Sequence, residues 1–97
     1  MSGDLQRAFD AALDQVERCL ISGMKKADGG SARPQLERLR EELQAECANA
    51  IERRAVDREW FQRTVRWVVE WVPDSELTLV ASLGEIVRAS TPPLGPR

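Results

Sequence analysis

The sequence predicts an all-α protein, a small four-helix bundle. Apolar residues recur at spacings of three and four through most of the chain, the period of one helix face. The composition is rich in Ala, Leu, Glu, Arg and Gln, which lose little side-chain freedom in a helix. The glycine and proline punctuation at 29–30, 34 and 73 falls at the edges of the periodic segments. Ninety-seven residues suit one domain, and a chain of this size buries about 60–65% of its unfolded surface. With 42% apolar and 31% charged residues, a folded domain is expected over 1–90 and a flexible Pro-rich tail over 91–97.

The first helix is expected over about 4–26. Leu5, Phe9, Leu13 with Ala12, Val16, Leu20 and Met24 share one face. Asp4 suits its first turn, and Lys25 and Lys26 suit the carbonyl end of its last. Gly29 and Gly30 then supply a turn. The second helix is expected over 33–55, with Ser31 as a cap and Pro34 in the first turn, where a missing N–H costs nothing. Its inward stripe is Leu36, Leu39, Leu43, Cys47, Ala50 and Ile51.

The segment 52–59, ERRAVDRE, carries six charges in eight residues. On a wheel of about 100° per residue, Leu36, Leu43, Cys47, Phe61, Val65, Val68 and Val72 nonetheless fall in one arc about 60° wide. Two structures fit. In one, the chain breaks near Val56 and Asp57 caps a new helix over 58–72. In the other, helices two and three form one long kinked helix over 34–72. That rod would be about 58 Å long and would imply a dimer. The break is favoured, because a continuous helix would set Arg54, Asp57 and Arg58 on the core side. Charges there would need water, or would form a polar layer fixing register between helices or subunits. Pro73 ends the third helix. The fourth is expected over 75–89, with Asp74 and Ser75 as caps, Glu76 in its first turn, and Leu79, Val80, Leu83, Ile86 and Val87 facing in.

The third helix carries the functional signal. All three tryptophans lie within 60–71, in a chain with two phenylalanines and neither tyrosine nor histidine. Trp60, Thr64, Trp67 and Trp71 form one row, and Phe61, Val65, Val68 and Val72 form another. Together they span an apolar arc of about 180–200°, nearly twice the ~100° a surface helix of a small monomer requires. One reading makes this the central helix of the bundle. The other turns one row to the core and the Trp row, with Phe61 shared, to a partner, because aromatic residues concentrate at interfaces. The most economical partner is a second copy across a two-fold axis, and another protein is the alternative.

Other classes receive less support. Twelve arginines and two lysines face sixteen acids, for a net charge of −2, so no segment builds a strongly positive field. A nucleic-acid-binding regulator using Arg53, Arg54, Arg58, Arg63 and Arg66 with Trp60 and Trp67 is the runner-up, disfavoured because those arginines point in several directions. An enzyme is not expected, and no small-molecule substrate is evident. Without histidine, neither Cys19 nor Cys47 has a base to activate it, and two cysteines leave a metal site short of ligands. No cofactor or metal is expected. Both cysteines occupy apolar helical positions, as reduced thiols do, although a disulfide between the first two helices fits an oxidising compartment. The N-terminus lacks an apolar signal region and no window spans a bilayer, so a cytoplasmic home is expected. The function these features predict is a non-catalytic interaction module, adaptor or regulatory, that self-associates through the Trp-rich helix.

Overall fold

A computed structural model describes residues 2–90 as four helices: α1 (Ser2–Ser22), α2 (Arg33–Arg53), α3 (Arg58–Trp71) and α4 (Thr78–Ser90). A 3₁₀ turn, Asp74–Glu76, precedes α4. Among the described residues there is no sheet, only an isolated antiparallel bridge between Lys25 and Ser31. Among the described residues no helix is long and apolar enough to cross a membrane. The expected flexible tail, 91–97, lies outside the described residues.

α1 stops four residues earlier than its apolar period suggests. Gly23 takes φ 71°, a left-handed conformation that costs glycine nothing. The Gly23 N–H donates to Leu20 O at 3.2 Å and the Met24 N–H to Cys19 O at 3.1 Å, closing the last carbonyls. Met24 stays buried as the chain folds back, which is why the stripe seemed to continue. Lys25 and Lys26 therefore sit in the α1–α2 loop and not in the helix's last turn. That loop is tied to itself. Lys26 N–H donates to Gly30 O at 2.7 Å, and Asp28 Oδ1 accepts the Gly30 N–H at 2.9 Å. This bond, helped by Lys26, holds the Asp28 carboxyl below its ordinary range.

α2 starts after Ser31, whose hydroxyl accepts the Arg33 N–H at 3.2 Å. It ends at a break. Arg54 is left-handed (φ 62°, ψ 26°), and Ala50 O accepts both the Arg54 and Ala55 N–H groups. Helices two and three are thus separate. Asp57 caps α3, its Oδ1 accepting the Glu59 N–H at 2.9 Å and the Trp60 N–H at 3.4 Å. A buried acid closes the elbow: Glu46 Oε2 accepts the Asp57 N–H at 2.9 Å and Arg53 Nη2 at 3.1 Å. Glu46 is only 6% exposed, although its charge marks it as a surface residue.

At the far end of α3, Trp71 O accepts the Ala27 N–H at 2.8 Å, docking the helix terminus on the α1–α2 loop. α4 then begins at Thr78, not 75. Asp74–Glu76 forms the 3₁₀ turn after Pro73 with no side-chain cap, and Glu76 Oε1 approaches Cys19 Sγ at 4.0 Å. α1 lies between α2 and α4 and packs along both, while α3 packs on α4. The core forms where these faces meet. Phe9, Val16, Leu36, Leu39, Leu43, Val68, Leu79, Leu83 and Ile86 are fully enclosed. In α1 the inward row runs through Ala12 and Cys19, while Leu13 and Leu20 are half-buried.

Candidate partner-binding face

α3 buries one side of its circumference, and that side includes most of the Trp row. Trp60 is 6% exposed, Trp71 is 7%, and Thr64 and Val68 are buried with them. Trp67 is half-buried. Of the second row, Val68 and Val72 are buried, whereas Phe61 and Val65 are half-buried. The buried direction therefore falls between the two rows, leaving a fringe of each. One fringe is Trp67. The other is Phe61, Val65 and Val69, spaced four residues apart in a ridge along the helix, with Val69 49% exposed. Val69 belonged to neither row in the sequence pattern, because it lies at their outer edge.

Trp size sets how α3 meets α2. The two helices touch through side chains: Trp60 Nε1 donates to Glu42 Oε1 at 3.0 Å, and the Arg38 guanidinium lies 5.7 Å from the Trp67 ring centroid. Trp67 meets Trp71 edge to face, with centroids 5.2 Å apart and planes at 68°. Arg38, Trp67 and Trp71 thus form a line of contacts running inward from the surface. Trp71 Nε1 and Gln35 Oε1 are buried without a hydrogen-bond partner among the described residues.

No known protein family, characterised protein or solved structure matches this chain. What the site can do is therefore read from its own geometry. Arg54, Asp57 and Arg58, considered for a polar register layer, are all exposed at the α2–α3 elbow, and the buried polar group there is Glu46. Arg53 is committed to Glu46, while Arg63 and Arg66 are exposed. Cys19 and Cys47 are both free. Burial, and then the neighbouring Glu76 carboxylate, raises the Cys19 thiol above its ordinary 9.0. Burial likewise raises Cys47, so at neutral pH both are protonated small apolar groups.

Proposed function

We propose that this chain is a non-catalytic protein–protein interaction module, adaptor or regulatory in role, that self-associates through α3. The observation that carries the reading is the Phe61–Val65–Val69 ridge. It is a line of apolar side chains on the most strongly amphipathic of the described helices, and its last member is half exposed. A ridge with residues four apart packs against its own copy, because a two-fold axis sets one helix's ridge in the other's groove. Trp67, the one member of the Trp row not enclosed, extends the apolar surface on the opposite flank. Phe61 is shared between core and contact. Trp60, Thr64 and Trp71 support the face from beneath, fixing α3 on α2 and on the α1–α2 loop.

Val69→Glu tests the reading at a position outside the core, so the fold survives the change. Sedimentation across a wide concentration range is expected to give a dimer for the wild type and a monomer for Val69→Glu. A wild type that stays monomeric at every concentration, or a variant that dimerises as well as the wild type, removes self-association.

A nucleic-acid-binding regulator remains the second reading, because Arg63 and Arg66 are exposed beside Trp67. Glu59 and Glu70 share that surface, which weakens it. Binding of an oligonucleotide that falls steeply as salt is added would favour this reading over self-association.

A further inference from the structure

α2 and α3 stand apart midway along their length, and the cleft between them measures about 290 Å³, lined by Arg38, Glu42, Arg63, Thr64 and Trp67. Its charges are not balanced. Glu42, the one acid among these lining residues, has Oε1 engaged by the Trp60 indole N–H. Arg38 has Glu41 and Glu42 three and four residues ahead, the usual spacing for an ion pair on a helix. It pairs with neither and lies over the Trp67 ring. Arg33 and Arg40, on the same helix, do hold carboxylates, those of Glu37 and Glu17. Arg63 is exposed and has no carboxylate partner among the described residues. A guanidinium resting on an aromatic face keeps its edge N–H groups free, and those donors match the two oxygens of a carboxylate. The cleft therefore offers two open forks beside a half-buried indole.

We propose that this cleft docks an acidic segment of another protein, with a side-chain carboxylate held between Arg38 and Arg63 and an adjoining apolar side chain laid on Trp67. It goes beyond self-association through the Val69 ridge, because it uses the opposite flank of α3. The charge around the cleft selects a peptide over a nucleic-acid strand. Glu42 inside it and Glu70 one turn beyond Trp67 would repel a continuous line of phosphates, whereas a single carboxylate enters between the arginines. The space suits one or two side chains.

The probe is a fluorescein-labelled hexapeptide alternating glutamate and leucine, with glutamine–leucine and lysine–leucine versions as controls. Fluorescence anisotropy is expected to give saturable binding of the glutamate peptide alone, and the Trp67 indole N–H resonance is expected to move while that of Trp60 stays. Arg38→Gln with Arg63→Gln, both at exposed positions, is expected to weaken binding at least ~10-fold, a factor readily resolved by titration. Val69→Glu is expected to bind as the wild type does, which separates this site from the self-association ridge. The proposal is overturned by no saturation up to about 1 mM peptide. It is equally overturned by equal binding of the glutamine peptide, by undiminished binding in the double variant, or by an oligonucleotide displacing the peptide and binding more tightly.

Discussion

Glu46 shows how one side chain can set the path of the chain. Its carboxylate is buried, yet it is paired on both sides, by the Asp57 N–H at 2.9 Å and by Arg53 at 3.1 Å. Hydrogen bonds to a charged group contribute about 1.5–3 kcal/mol each, and a donor left buried without a partner costs a comparable amount. Glu46→Ala removes both bonds and leaves the α3 entry open, so it is expected to lower stability by about 2–4 kcal/mol. Glu46→Gln keeps an acceptor for the Asp57 N–H and loses only the charge toward the half-exposed Arg53, so the loss should be nearer 1 kcal/mol. Urea unfolding midpoints at unchanged slope measure both; equal losses for Ala and Gln would show that the N–H bond contributes nothing. The position was legible in part. Glu46 lies about 20° beyond Leu39 on the helical wheel, at the edge of the apolar arc. Its charge hid it, because a carboxylate at that edge reads as a surface residue until the chain is known to break nearby and to present an unpaired N–H. Gly23 was hidden differently: the apolar period carries on past it to Met24, while the left-handed turn that ends the helix leaves no mark on periodicity.

At the scale of elements, the α2–α3 break is the feature the sequence posed most sharply. Residue phase is kept across it, as it would be in a continuous helix, but the cap of Asp57 and the left-handed Arg54 close two separate helices. The agreement of phase is a consequence of α3 returning its apolar side to the same core. It did mislead about which side. Extending the α2 arc points Phe61, Val65 and Val72 inward. The buried direction of α3 is turned toward Trp60, Thr64 and Trp71, because a row of indoles removes more apolar area than a row of valines. Most of the row that one reading turned to a partner thus fills the core, Trp67 staying half-buried, and the fringe of the other row is left outside. The break also carries a cost. Arg54 holds φ 62°, where a Cβ crowds the following carbonyl by about 1 kcal/mol. Arg54 is exposed and has no carboxylate partner among the described residues. Arg54→Gly is therefore expected to stabilise the protein by about 0.5–1 kcal/mol despite glycine's greater freedom when unfolded. A thermal unfolding midpoint raised above the wild type checks this. A lowered midpoint would mean that the arginine side chain contributes contacts outweighing its strain.

For the whole molecule, a small core and an unfinished helix surface bear on the same quantity. One chain of this size encloses little, and α3 presents more apolar circumference than α2, α4 and the α1–α2 loop cover. If a second copy covers the Val69 ridge, folding and association become one equilibrium, and stability depends on how much protein is present. A tenfold increase in concentration then adds about 1.4 kcal/mol per dimer, which for two chains of this length moves the unfolding midpoint by about 3–5 °C. The wild type is expected to show that shift, and added sulfate is expected to preserve or enlarge it, since burial of apolar surface is strengthened by excluded salts. Val69→Glu should flatten the dependence while keeping its helical signal, because a carboxylate placed in the ridge charges the contact without entering the core. A single midpoint at all concentrations for both proteins would mean that the half-exposed ridge is tolerated by a lone chain. The cleft between α2 and α3 would then be the surface left to explain why this helix is so rich in tryptophan.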